Sequence, residues 1–219
     1  MHSLSTLFAA LIAAGACATA SAAPITLTFE GVGDRASVLE FYNGGSDSAG
    51  HAGSNYGISF SRASLGIIDA DAGGTGNIGN EPSPSTVLFF LSGSAATMNV
   101  AAGFDTGFSF YYTSARAGFI RVYEGLNGTG KLLASLALNA NTGNCAGDPN
   151  GGFCQFDPVG VAFAGIARSV DFGGSADYIA FDNVTLGAST PAQDVPEPGT
   201  LALVGLGLGG LARLRRRQS

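Results

Sequence analysis

VYEGLNGTGKLL, residues 122–133, sets two apolar runs on either side of a turn. Asn127 and Gly128 are residue types that tolerate a positive φ, which the tight turn of an antiparallel hairpin requires at its centre. The stretch therefore predicts a hairpin between strands Phe119–Tyr123 and Leu132–Leu138. Working outward, the same signal of short or period-two apolar runs recurs at Ile25–Phe29, Gly57–Phe60, Val87–Leu91, Met98–Ala101, Phe108–Tyr112, Val159–Phe163, Ser169–Phe172 and Tyr178–Leu186. Gly, Asn, Asp and Pro separate these runs. No segment carries three turns of amphipathic helix, so the pattern predicts an all-β, two-sheet β-sandwich over residues 23–189. The absence of a fixed-period repeat argues against a propeller or β-helix.

Composition agrees. The chain has 219 residues, of which 46% are hydrophobic and only 12% charged. That is enough for one sizeable core, and too little charge for a disordered acidic tail. The 34 glycines suit many tight turns. Two long polar stretches, Asn43–Asn55 and Asp69–Pro84, read as loops, where binding sites often collect. Four of the ten basic residues, Arg213, Arg215, Arg216 and Arg217, lie in the last seven positions, which leaves six basic against sixteen acidic residues in the body. Such a body excludes nucleic acid as a partner and favours cations.

Both ends read as transport signals. Residues 1–22 hold an apolar run from Leu7 to Ala16 and then Ala20-Ser21-Ala22, the A-x-A pattern of a secretory cleavage site. The cut is placed after Ala22, by signal peptidase, because Pro24 would adjoin a bond broken one residue later. Lipoprotein cleavage before Cys17 is disfavoured by Ala14-Gly15-Ala16, which lacks a large aliphatic residue. At the other end, Pro196 and Pro198 bracket Glu197 within a linker assigned to residues 190–200, and block helix and sheet pairing there. Residues 201–219 then read as a transmembrane helix with a basic tail. A helix from Gly199 to Leu214 would rise about 24 Å, short of a hydrocarbon core of about 30 Å. The arginines place the tail on the cytoplasmic side.

These parts in this order resemble the PEP-CTERM sorting signal of bacterial surface proteins, with Val195, Pro196, Glu197 and Pro198 as the motif. The resemblance implies recognition by an exosortase, transient anchoring in the inner membrane, and release to the cell surface, extracellular space or extracellular matrix. A permanent single-span anchor is the alternative. The middle of the chain also resembles the bodies of other PEP-CTERM proteins. In those, an opening strand ending near Phe-Glu (Phe29-Glu30) and a closing strand reading Phe-Asp-Asn (Phe181-Asp182-Asn183) bracket a jelly-roll-like sandwich.

Export frames the chemistry. Cys145 and Cys154 flank the turn-forming AGDPNGGF and remain as an even pair once Cys17 is removed, so a disulfide is expected between them, against two unrelated thiols. Zinc lacks a second ligand pair. Calcium-bearing jelly-roll carbohydrate modules hold an ion between acids on their first and last strands, and that resemblance implies Glu30 and Asp182 as ligands of a structural calcium. Asp69-Ala-Asp71-Ala-Gly73-Gly74 only begins like an EF-hand loop, with Asn80 where the closing Glu belongs. His51 could join Asp47 and Ser54 in a triad, but all three share one loop, so it reads as a solvated residue. No feature selects a pair of carboxylates for glycoside hydrolysis. The expected role is non-enzymatic and structural or adhesive. Exopolysaccharide binding is the alternative, with Tyr42, Tyr56, Tyr111 or Tyr112 as stacking platforms in a chain without tryptophan, and a glycoside hydrolase stands behind both.

Overall fold

The computed structural model describes residues 23–143 and 145–191. The signal segment, the cut after Ala22, the motif Val195–Pro198 and the apolar run that follows lie outside these residues. Among the described residues no helix is long and apolar enough to cross a membrane.

The strands are β1 Ile25–Leu27, β2 Ile58–Phe60, β3 Leu65–Ile68, β4 Thr86–Phe89, β5 Ala95–Phe104, β6 Gly107–Ser114, β7 Gly118–Tyr123, β8 Leu132–Leu138, β9 Asp157–Ala162, β10 Ala167–Gly173 and β11 Ile179–Leu186. They form two antiparallel sheets. One has the order β3-β4-β11-β6-β9, with β1 sharing an edge of β11 with β4; the other runs β2-β5-β10-β7-β8. From β4 onward, consecutive strands cross from one sheet to the other except within the β7–β8 hairpin. That hairpin closes through Asn127 and Gly128 at φ 55° and 66°, with Glu124 N–H donating to Lys131 O at 3.0 Å. Each strand expected from the sequence is present. The reading missed β3, whose four residues LGII are too short to show a period.

The core follows from alternation. In β5, Ala96, Met98 and Val100 point inward while Thr97 and Asn99 point away. Phe172 beside them in the same sheet and Phe108, Phe110 and Phe181 on the facing sheet are fully buried and meet edge-on or tilted at centroid distances of 5.0–5.8 Å. Each such side chain contributes about 1.5–3 kcal/mol by burial, and the edge-on pairs about 0.5–1.5 kcal/mol more.

Alternation of exposure fails in β6 and β11, where every residue is buried. The outer face of their sheet is roofed by the segments 69–85 and 145–156. Ile78 of one and Phe153 and Phe156 of the other pack with Val87, Phe89 and Ala180 to make a second, smaller core. Cys145 and Cys154 are disulfide-bonded, with Cα atoms 5.1 Å apart. The loop they close is fastened by Gly152 and Phe153 N–H groups donating to Asn77 O at 2.7 and 3.1 Å. A disulfide closing so small a loop contributes on the order of 2.5–3 kcal/mol in the chain-entropy account.

Candidate functional site

The first and last strands meet over the segment 83–86. Just past β1, Phe29 turns the chain at φ 61°, and its N–H donates to the Tyr42 hydroxyl at 2.8 Å. This delivers Glu30 to the roof of the sheet. Its Oε1 accepts from Ser85 N–H at 3.1 Å and Thr86 N–H at 2.8 Å, and its Oε2 accepts from the Ser85 hydroxyl at 3.2 Å.

Asp182 arrives from the other end of the chain. The ladder between β11 and β6 slips by one residue between Asp182 and Thr185, and Asn183 takes φ 45°. This is a β-bulge, and Asn is among the few side chains that tolerate that conformation. The Asp182 carboxylate is fully buried. Oδ2 accepts from Ser83 N–H at 2.8 Å and Oδ1 from Asn183 N–H at 2.7 Å. The Ser83 hydroxyl lies 2.8 and 2.9 Å from the two carboxylate oxygens and 3.0 Å from Thr28 O, so its single proton serves one of three acceptors at a time. Hydrogen bonds to a charged group contribute about 1.5–3 kcal/mol each.

The electrostatics oppose this charge. Burial pushes the Asp182 pKa up to about 6, against the pull of the Ser83 and Asn183 donors, and the nearby Glu30 charge adds to the rise. Glu81, one turn earlier in the chain, is pushed up to about 7 by burial, with Asp69, Asp182 and Asp148 contributing. Its Oε1 is buried without a hydrogen-bond partner, as is Oδ1 of Asn183. Burial also holds the Tyr42 hydroxyl well above its usual pKa.

Glu30 and Asp182, named by the resemblance as calcium ligands, thus both bond to the segment 83–86. Sequence reasoning missed Ser83, Ser85 and Glu81; the only signal was their place in EPSPS, where two prolines remove competing donors. The EF-hand-like stretch has other uses. Asp69 Oδ1 accepts from Asp71 N–H to cap the 3-10 turn Ala70–Ala72, and Asp71 accepts from Asn150 Nδ2 at 2.9 Å. Among the described residues no group of three or more His, Cys, Asp or Glu is placed to hold a metal ion.

Asp47 and His51 also meet, with Nδ1 3.0 Å from Oδ2 and the imidazole more than half exposed. Ser54 bonds to neither. Although burial raises the Asp47 pKa, donors from Gly33, the His51 ring, and the His51 and Ala49 amides hold it below the usual carboxylate value. The loop is therefore better anchored than its composition suggests. Of the four candidate platforms, Tyr42, Tyr111 and Tyr112 are buried. Tyr112 packs in the main core and Tyr111 sits on the roofed face, so only Tyr56, 44% exposed, presents a ring to solvent. It stacks on Tyr42 at 6.1 Å and borders a cleft of about 310 Å³ shared with Ile25, Phe104, Asp105 and Ile166.

Residues 194–217 match the family model described as the PEP-CTERM protein-sorting motif. The motif implies export, sorting to the cell surface, and exosortase as the processing partner. No curated protein matches the chain. Among solved structures the chain is similar to the K2 cleaved adhesin domain of Lys-gingipain (Kgp), at 12% identity and TM-score 0.43, over 76% of this chain and 100% of that one. It is also similar to a glycoside hydrolase family 43 arabinoxylan arabinofuranohydrolase from Bacillus subtilis, solved with cellotetraose, at 15% identity and TM-score 0.37. That match covers 65% of this chain and 30% of the enzyme.

Asp182 and Glu81 hold a proton more tightly folded than unfolded. Their contribution to stability is therefore full below their unfolded pKa values, near 4, and is lost as pH rises through about 6 and 7. The urea midpoint is expected to fall between pH 5 and pH 8. Glu81→Gln should raise the midpoint at pH 8 and leave it unchanged at pH 4.5; a midpoint flat across that range, or the same slope in the variant, would refute this reading of the site.

Proposed function

Starting from a chain that carries a PEP-CTERM protein-sorting motif, we propose a non-enzymatic, structural or adhesive protein of the bacterial cell surface or extracellular matrix. Signal peptidase cuts it after Ala22, its residues 201–219 anchor it briefly in the inner membrane with the basic tail cytoplasmic, and an exosortase acts at Val195–Pro198. The alternation of β4-β11-β6-β9 with β5-β10-β7-β8 suits a jelly roll.

The observation that carries this reading, beside the motif itself, is how the sandwich holds its outgoing chain. Gly187 N–H donates to Gly107 O at 3.0 Å, and the Ser109 hydroxyl donates to Ala188 O at 2.9 Å. A side chain at Gly107 would press on Ser189, and one at Gly160 would collide with it. The chain is gripped as far as Ser189, and the matched segment starts a few residues on, at 194. The two carboxylates that the fold brings together face loop amides rather than an open cleft, which supports a structural use over hydrolysis. Mass spectrometry of the mature protein from an exosortase-bearing host should show a chain beginning at Ala23 and lacking residues 201–219. A product retaining the full C-terminal segment would overturn the proposal.

The cleft beside Tyr56 favours exopolysaccharide as a ligand. An exposed ring stacked on a second ring, in a cleft that also holds the carboxylate of Asp105, is the kind of surface on which a sugar face packs. Tyr56→Ala should abolish retention on the host's exopolysaccharide, and Tyr56→Phe, which keeps the ring, should retain it; unchanged retention in Tyr56→Ala argues against the cleft.

Calcium is proposed at Glu30 and Asp182. Glu30 Oε2 with its single donor, and the unpartnered Oδ1 of Asn183 next to Asp182, are hard oxygen ligands of the type this ion takes. An ion there would also offset the cost of keeping Asp182 ionised. Millimolar calcium is expected to raise the melting temperature at pH 8, and less so in Glu30→Gln; no shift, or an equal one in the variant, contradicts the site.

A further inference from the structure

The ladder between β5 and β10 opens at one place. Asn99 pairs with Ser169 and Phe104 with Ala167, so residues 100–103 stand opposite Arg168 alone and the end of β5 bows away from its neighbour. Bulges in a ladder often border functional sites. This bow forms one wall of the cleft beside Tyr56. Gly103, at φ 79°, lets Ile166 lie against the backbone, where a side chain on residue 103 would collide with it. Tyr56 and Ile166, 44% and 43% exposed, give the cleft two apolar surfaces that the core does not use.

Asp105 is the only charged side chain in the lining, and it is exposed. The next residue, Thr106, takes φ 71°, a conformation rare for a β-branched side chain. Across it Gly107 N–H donates to Asp105 O at 2.7 Å, which closes a strained three-residue turn. The Thr106 hydroxyl donates to Asp105 Oδ1 at 3.0 Å, while Oδ2 accepts from no protein group among the described residues. A carboxylate with one oxygen steadied and the other open is an acceptor for donors on a ligand.

Charge then narrows the ligand. No Lys, Arg or His lines the cleft. The cut after Ala22 would leave one ammonium, on Ala23, which lines the cleft too and at most balances Asp105. Acidic residues outnumber basic ones in the surrounding body, so its field repels a polyanion. Sugar hydroxyls, by contrast, donate to a carboxylate without bringing charge, and the C–H face of a sugar ring packs on apolar and aromatic surface. The volume of about 310 Å³ suits a short stretch of sugar chain.

We propose that this cleft selects uncharged sugars, with Asp105 accepting hydrogen bonds from ring hydroxyls and Thr106 positioning its carboxylate. The proposal rests on the reading of the cleft as an exopolysaccharide site and adds the chemical class it takes, sugars without carboxylate, sulfate or phosphate groups.

The test cuts the host's exopolysaccharide to short oligosaccharides and separates them on an anion exchanger into an uncharged and an acidic fraction. Each fraction is titrated into the mature protein by calorimetry. Wild type is expected to bind the uncharged fraction at least about tenfold more tightly than the acidic one. Asp105→Asn, which keeps the shape and removes the charge, should weaken binding of the uncharged fraction about tenfold, the effect of one hydrogen bond to a charged group. Thr106→Val should weaken it as well, and Thr106→Ser, which restores the hydroxyl, should not. Binding of neither fraction by wild type would overturn the cleft as a sugar site and this inference with it. Equal or tighter binding of the acidic fraction, or Asp105→Asn binding both fractions as wild type does, would overturn the selection of uncharged sugars alone. Equal losses in the two Thr106 variants would remove the positioning role.

Discussion

A carboxylate buried away from water must receive hydrogen bonds or give up its charge. In this fold the buried Asp182 and the half-buried Glu30 meet that demand from one source, the amides and hydroxyls of Ser83, Ser85 and Thr86. Because one acid follows the first strand and the other lies on the last, satisfying them ties both ends of the sandwich to the same loop. The roof over the sheet depends on this. Residues 69–85 are fixed at their far end by the two acids and are pressed down by Ile78 and Phe153, and the disulfide loop then fastens to them through Asn77.

The roof makes the molecule asymmetric. The sheet containing β11 is covered on both faces, which is why β6 and β11 show no alternation of exposure. The other sheet keeps an open outer face, on which the 124–130 turn folds back to cover Ser169, with Gly128 N–H donating to its hydroxyl at 3.0 Å. The cleft beside Tyr56 remains accessible for recognition. The roofed acids supply stability and its pH dependence, while the open sheet supplies surface.

Much of the fold was legible because strands and hairpin turns are local signals. Period two, and Asn127-Gly128 at the turn, depend on neighbours in sequence, and the β7–β8 hairpin formed where they placed it. Burial of both faces of one sheet was not legible, since it depends on Ile78 and Phe153 meeting across 75 residues of chain, each a lone apolar residue in a polar stretch. The candidate site was half legible. The pair Glu30 and Asp182 followed from a resemblance, but their partners could not be read, because Ser83 and Ser85 look like any turn serines until the loop is seen to fold back. The positive φ at Asn183 explains the Phe-Asp-Asn order: the bulge needs an Asn-like residue immediately after the buried acid. His51 shows the limit of composition, since a glycine-rich loop proved to be pinned by a buried aspartate.

The dependence of the sandwich on the carboxylates of Glu30 and Asp182 is tested most directly by native-state hydrogen exchange at the amides of Ser83, Ser85 and Thr86. Those groups lie in or beside a loop between two prolines, where an unanchored backbone would exchange at close to the open-chain rate. If Glu30 and Asp182 hold them as described, they exchange as slowly as the ladder amides of β11 and open only with the domain as a whole. Exchange at loop-like rates, while β11 stays protected, would contradict the account.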